Sequence, residues 1–356
     1  MKVFTYQERP PVGELHSSKY IRRYENNPLL TAEQVPFPCD LAFNAGVTQL
    51  NGKYYMAFRF DRYTPKKDGL ALSGTGFAES EDGIQWNIFP QPARFLYHGK
   101  ELRWVNDARL TELNGELYLS FCFNSLHGER PGFARWKGGT DFEVVSLGIP
   151  AQRNLILCPG KINGKYWRLE RPVTRFAVYN IWMSYSEDLI HWGESELLLG
   201  VEDVPFATKK IGGSAPPLLT DRGWLMTFHA VDNDPSRDIY YEKPWPCHWC
   251  SRYTMGALLL DRDNPFHNLG MTQKPLLVPE MAYETGNPEK FFRENVVFPC
   301  GALRDGEDLR IYYGAGDYST CMAKIRFEDL WKEITPYSRI ADEAVYCRLD
   351  LDQVEN

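Results

Sequence analysis

The sequence predicts an all-β chain folded as a five-bladed β-propeller, and three observations predict it. A Gly-containing turn followed by an alternating, aromatic-rich strand occurs five times, starting near residues 50, 113, 162, 221 and 305. A second phrase, Ser-Glu-Asp-x-Ile-x-Trp, is interleaved with the first at 80–86 and 186–192. Long helical periodicity is scarce. The spacing gives one four-stranded blade per repeat, with insertions, as a radial β-repeat requires. A β-sandwich with similar hairpins is the alternative; five repeats of two interleaved phrases favour the propeller.

The hairpins follow from turn chemistry. Leu50-Asn51-Gly52-Lys53, Leu113-Asn114-Gly115-Glu116 and Ile162-Asn163-Gly164-Lys165 each place Asn-Gly between β-rich runs. Both central residues of such a turn need positive φ, which Asn and Gly tolerate. Asp221-Arg222-Gly223 and Asp305-Gly306-Glu307 are weaker copies. The Ser-Glu-Asp phrases follow the strands at 76–79 and 181–185, and each is expected to pack its indole back onto that strand. The best short helix candidate is 327–334. Two insertions interrupt the repeat, an aromatic, Pro-rich one at 232–253 and ETGNPEKFFRE between Tyr283 and Asn295. Neither reads as a linker, so residues 1–356 are expected to form a single domain, with extensions at about 1–26 and 327–356. Loops on one face of a rigid scaffold commonly carry specificity.

Composition narrows the function. Of 356 residues, 43% are hydrophobic and 24% charged, which excludes a disordered or fibrous chain. Aromatic residues make up 14%, which suits a carbohydrate-facing cleft. The net charge is -7 with no Lys/Arg-rich run, so no nucleic-acid partner is expected. No apolar stretch approaches the ~18 residues of a membrane helix, and no membrane partner is expected. The N-terminus, MKVFTYQERPPVGEL, has no apolar signal region, and a cytoplasmic location is the expectation. Eight scattered cysteines are expected to stay reduced. A homo-oligomer is compatible with all of this.

Three acids stand beside Arg or Asn near strand ends: Asp61, Asp107 and Asp317. In a propeller, such ends crowd the central axis, where acids from different blades can meet. Cleaving a glycosidic bond needs a carboxylic acid to protonate the leaving oxygen. A second set can hold an anion: Arg153-Asn154, Lys161, Arg171, Lys209-Lys210 and His229. Taken singly, each acid reads as a structural ion pair, each cation as a solvated charge, and His229 equally well as a core histidine bonded to a backbone carbonyl. Cys247-His248-Trp249-Cys250 supplies half of a tetrahedral zinc site without a second pair, so a rigid aromatic loop is expected there and no metal. No phosphate-binding Gly loop or serine-nucleophile elbow is present.

These residues sit in ordered motifs: Phe43-Asn44-Ala45-Gly46-Val47, Phe58-Arg59-Phe60-Asp61, Asn106-Asp107-Ala108-Arg109, Arg153-Asn154, Pro159-Gly160-Lys161-Ile162, Glu170-Arg171-Pro172, Lys210-Ile211-Gly212-Gly213-Ser214, Phe228-His229-Ala230 and Asn295-Val296-Val297-Phe298. In that order the chain resembles the mannoside phosphorylases of glycoside hydrolase family 130, which are five-bladed propellers. The resemblance implies inverting phosphorolysis of a β-mannoside, giving α-D-mannose 1-phosphate and the shortened sugar. Phosphate is then a co-substrate and no cofactor is needed. It implies that Asp107 is the single catalytic acid, passing its proton through a sugar hydroxyl. Arg153, Asn154, Lys161, Arg171, Lys210 and His229 match positions that could bind phosphate. Asn44, Arg59, Asp61, Asn106, Arg109 and Asp317 match positions that hold the sugar.

The pattern departs from the family at Ala108, Gly160, Phe228 and Ala230, where the usual residues are Pro, Glu, Tyr and Gly. The alternative activity is β-mannoside hydrolysis, for instance of β-1,2-mannosides, by members that have lost the phosphate-binding cations; the cations present here favour phosphorolysis. A non-catalytic glycan-binding propeller is the remaining alternative. The 232–253 insertion suggests a distinctive acceptor site.

Overall fold

The computed structural model describes residues 10–63, 71–173, 179–242, 246–286 and 293–337. Five sheets, antiparallel except where Arg94–Tyr97 runs parallel to Asp141–Leu147 in the second, are arranged as the blades of a propeller. Their innermost strands are Leu41–Leu50, Val105–Leu113, Gln152–Leu157, Lys210–Gly213 and Val297–Asp305. The turns fix the hairpins as the sequence predicts. Asn51 and Gly52 have φ of 52° and 80°, Asn114 and Gly115 of 55° and 78°, Asn163 and Gly164 of 49° and 81°. Leu50 then pairs with Lys53, and Leu113 with Glu116.

Each interface between neighbouring blades has its own apolar cluster. Phe77, Phe95, Phe121 and Phe142 pack between the first and second blades, and Ile156, Trp167, Met226 and Phe228 between the third and fourth. Inner strands also touch directly. A Cβ on Gly46 would lie 2.7 Å from the Ala108 carbonyl oxygen of the next blade, so only glycine fits.

The Ser-Glu-Asp phrase repeats atom for atom. Ser80 Oγ accepts the Gly83 N–H at 2.9 Å while Asp82 accepts those of Ile84 and Gln85 at 2.8 Å. Ser186 and Asp188 do the same for Leu189, Ile190 and His191. The indoles also reach beyond their own blade. Trp86 packs edge-on to Tyr312 of the fifth blade, and Trp192 to Phe133 of the second, so each stitches its blade to the one before it.

Both terminal segments are woven into blades. Arg22–Arg23 is the outer strand of the fifth blade, pairing with Ser319–Arg326. The chain thereby closes its own ring. Arg23 is further clasped by the fully buried Glu284, at 2.7 and 2.9 Å. At the other end, the helix Phe327–Glu333 leads into Ile334–Pro336, which pairs with Asn268–Thr272 of the fourth blade. The rest of the sequence-defined extensions, 1–9 and 338–356, lies outside the described residues. No helix among the described residues is long and apolar enough to cross a membrane.

Candidate active site

The site is built by one device used repeatedly. Near the start of their inner strands, the first three blades each carry a one-residue bulge, between Phe43 and Gly46, Asn106 and Arg109, and Arg153 and Ile156. The residue inside each bulge has positive φ: Asn44 at 54°, Asp107 at 61°, Asn154 at 50°. Asn and Asp tolerate this region better than other non-glycine residues. A bulge turns a side chain out of the sheet's alternation, and here it presents three polar groups at the same end of the propeller. The fifth blade has a matching bulge between Pro299 and Gly301, and Asp317 (φ 50°) occupies the turn following Asp308–Ala315.

Asp107 is 7% exposed. Burial alone would raise its pKa, but Arg153, Arg109, Arg171 and Arg59 outweigh that and hold it below the usual carboxylate range. Arg153 Nε lies 3.5 Å from Asp107 Oδ2, and Arg153 Nη1 lies 3.8 Å from Glu129. Both contacts are long.

Beside this pair is a set of cations with little to balance them. Arg171 faces Arg153 directly across the strand pair. It is buried, its Nε has no hydrogen-bond partner, and no carboxylate pairs with it among the described residues. Burial and the Arg153 charge pull its pKa down to about 10. Lys210, half-buried with its Nζ 4.8 Å from the Tyr253 ring centre, is pulled down to about 7 by burial, Arg171, Lys209 and Arg153. His229 is fully buried, and neither ring nitrogen has a partner, so no backbone carbonyl satisfies it. Burial, with Arg171, Lys210 and Arg109, keeps it neutral well below its ordinary pKa. Asn154 Oδ1 is also unpartnered. A Cβ on Gly212 would lie 2.8 Å from His229 Nε2 and 3.0 Å from that oxygen, so the glycine leaves both room.

Opposite lies a more ordinary polar group. Arg59 grips Asp61 through two bonds of 2.8 and 2.7 Å, with Ser73 joining both. Asn44 Oδ1 and Asn106 Oδ1 are buried without partners. Asp317 is half-buried, and burial, reinforced by Asp61, raises its pKa despite Arg59, Arg293 and Lys210. Asn44, Arg59, Asp61, Asn106 and Asp317 thus present hydrogen-bonding groups of the kind that grip sugar hydroxyls.

Two residues depart from expectation. Lys161 belongs to the hairpin beyond Leu157, at the other end of the third blade from Arg153, and is exposed with its Nζ 4.1 Å from the Tyr166 ring centre. Arg153 to Leu157 alone spans roughly 13 Å at ~3.3 Å per strand residue, so Lys161 is not in the cluster. Arg109 is wholly buried, donating to the carbonyls of Ser214 and Ala108, with its Cζ 5.4 Å from the Phe298 ring centre. It supplies charge beneath Asp107 rather than a surface for a sugar.

The 232–253 insertion reaches the site through its aromatics. Its hairpin, Ile239–Tyr241 with Cys247–Trp249, brings Trp249 into a stack on Tyr253 (5.5 Å, 6°), which stacks in turn on His229. Arg293 from the second insertion lies 4.4 Å over Tyr241 and acts electrostatically on Asp317. Tyr253 and Arg293 were not picked out from the sequence, although both lie in stretches marked there as insertions. Residues 243–245 and 287–292 of the insertions lie outside the described residues. No group of three or more His, Cys, Asp or Glu that could hold a metal occurs among the described residues.

The structure thus sets an acid in a long contact with one cation beside further buried or half-buried cationic side chains. The sequence profile of glycoside hydrolase family 130, described as beta-1,4-mannooligosaccharide phosphorylase, matches residues 19–335. The chain belongs to glycoside hydrolase family 130. Family 130 relatives include the beta-1,4-mannooligosaccharide phosphorylase of Ruminococcus albus, 29% identical over 90% of this chain and 92% of its own. The beta-1,2-mannobiose phosphorylase of Listeria innocua is 26% identical, covering 88% and 98%. A solved structure of the Listeria innocua enzyme with beta-1,2-mannobiose superposes with a TM-score of 0.73 at 25% identity, again covering 88% and 98%. A solved family 130 structure from work on glycoside hydrolases that target beta-1,2 mannosidic linkages in Candida mannan gives 0.68 at 19%, covering 90% and 96%, a likeness of fold. Family 130 is thus one of β-mannoside phosphorylases with hydrolases among its members.

Lys210 makes one consequence measurable. Its cation is present below about pH 7 and lost above it. Phosphate affinity of the wild type should therefore weaken relative to Lys210→Met as pH rises past 7, by up to about tenfold per unit. Calorimetric titration of both proteins between pH 6 and pH 9 checks this; parallel curves would place Lys210 outside the anion site.

Proposed function

We propose that this protein is an inverting phosphorylase that cleaves a β-mannoside with inorganic phosphate, yielding α-D-mannose 1-phosphate and the shortened sugar. One observation carries the reading. Arg171, Lys210 and His229 are buried or half-buried donors without carboxylate partners among the described residues, and they adjoin the Arg153–Asp107 pair. Buried charge left unpaired is costly, and a phosphate dianion removes that cost.

The chemistry follows from the two groups. Phosphate, held in line by Arg153, Arg171 and Lys210 with Asn154 and His229, attacks the anomeric carbon. As the new C–O bond to phosphate forms, the glycosidic C–O bond breaks on the opposite face, and the leaving oxygen takes the proton of Asp107 through a sugar hydroxyl. Phosphate is already an anionic nucleophile, so no second carboxylate is required to activate it. Hydrolysis would leave the buried cations without a role.

Incubating the protein with β-1,2- and β-1,4-linked mannosides, with and without phosphate, tests the reading and covers both linkages named among the relatives. α-D-Mannose 1-phosphate formed only with phosphate is expected. Free mannose released equally with and without phosphate would make it a hydrolase, and no product in either condition a binding protein.

A further inference from the structure

We propose that Arg153 is a phosphate-operated switch on the acid: entering phosphate draws the Arg153 guanidinium off Asp107, and only then does that carboxyl take up the proton it will donate. The inference rests on the reading above and adds a rule of order, in which the nucleophile arms the acid.

Geometry carries it. Asp61 is locked by Arg59 through two bonds under 3 Å plus a serine. Arg153, by contrast, spans Asp107 at 3.5 Å and Glu129 at 3.8 Å without a close bond to either, and its Nε is unsatisfied. Such a side chain is poised to move. Its cross-strand neighbour Arg171 makes no ion pair with a carboxylate among the described residues, so phosphate entering between the two competes directly with Asp107 for Arg153.

A general acid must be protonated at the moment of bond cleavage, yet four arginines hold Asp107 ionised: Arg153, Arg109 on its own strand, Arg171 from the third blade and Arg59 from the first. The other titratable groups coupled to it cannot offset them. The Cys122 and Cys300 thiols are pushed up to about 12 by burial, the Tyr253 phenol is pushed higher still, and all three stay neutral. Phosphate occupying Arg153 and Arg171 offsets two of these four positive charges and adds negative charge beside the carboxyl, which favours its protonation. The proton comes from solvent. By linkage, the same coupling makes protonation of Asp107 tighten phosphate. Without phosphate the acid is ionised, so water cannot usefully take the nucleophile's place, and the bond is protected from hydrolysis.

Infrared difference spectroscopy of the whole protein tests this, using inorganic phosphate as the probe and chloride as the control. In the wild type at neutral pH, phosphate should produce the carbonyl band of a protonated carboxyl. The band should be absent from Asp107→Asn and retained in Asp317→Asn. In Arg153→Gln, a band that Asp107→Asn removes should already be present before phosphate is added. That variant should also release free mannose without phosphate several-fold faster than wild type. Phosphate binding to the wild type with no such band overturns the switch and needs no variant to fold; a band that persists in Asp107→Asn overturns it as well, and either outcome leaves Asp107 free to be the acid. Absence of phosphate binding altogether would instead remove the underlying reading. Full turnover by Asp107→Asn would do the same.

Discussion

Asp107→Asn should fold like the wild type and lose about 10³-fold or more in turnover, near the upper part of the range for a positioned general acid. The fold survives because the substitution suits the backbone. Position 107 holds φ at 61° inside a bulge, a conformation that Asn accepts as readily as Asp and that Ala would adopt only with strain. What disappears is one ionisable proton. The substitution leaves Asn44, Arg59, Asp61 and Asp317, the proposed sugar-holding groups, in place, so the KM for the mannoside should change little while kcat collapses, the signature of an interaction made in the transition state.

The same substitution should tighten phosphate binding, by about three- to tenfold, since Arg153 loses the carboxylate 3.5 Å away and keeps its full charge for the anion. Thermal unfolding, phosphate calorimetry and assay of α-D-mannose 1-phosphate together check the prediction. A dead enzyme that binds phosphate better is the expected outcome. Undiminished turnover would remove Asp107 from the chemistry, and weaker phosphate binding would contradict the charge arrangement around Arg153.

The hairpins were legible in the sequence because their cause is local: Asn51-Gly52, Asn114-Gly115 and Asn163-Gly164 meet a φ requirement that few other dipeptides meet. The Ser-Glu-Asp turns were legible for the same reason. The blade that receives each indole was not, since Trp86 reaches Tyr312 across more than two hundred residues of chain. Ring closure by Arg22–Arg23 is equally non-local. Within the site, the residues that the motifs single out coincide with the bulges at Asn44, Asp107 and Asn154. The motifs mislead where direction matters. Lys161 lies close in sequence to Asn154 but at the far end of its blade. Arg109 follows Asp107 by two, which on a regular strand would put both on one face. The extra residue between Asn106 and Arg109 breaks that alternation and turns the guanidinium under the site.

Arg171→Met should raise the KM for phosphate by about 10²-fold or more, the scale of removing one member of a buried charged contact, and change that for the mannoside by less than about threefold. Methionine roughly conserves the apolar volume and leaves no charge behind. In the phosphate-free protein, burial and the neighbouring Arg153 work against the Arg171 cation, which is why its pKa falls to about 10. A cation depressed on folding costs stability wherever it is charged in both states, and that cost is relieved only as pH climbs past the folded value. Across neutral pH, Arg171 is charged both folded and unfolded. The variant should therefore melt a few degrees higher than wild type without phosphate, by a margin that narrows as pH rises past 7, where Lys210 gives up the charge that Arg171 repels. Added phosphate should stabilise the wild type and leave the variant nearly unmoved, because only the wild type binds it tightly. Melting curves at several phosphate concentrations, read beside initial rates, separate the outcomes. Equal rises in KM for both substrates would mean that Arg171 shapes the whole pocket, and a lower melting temperature would mean that it holds the blade together; either would move the anion to another group of side chains.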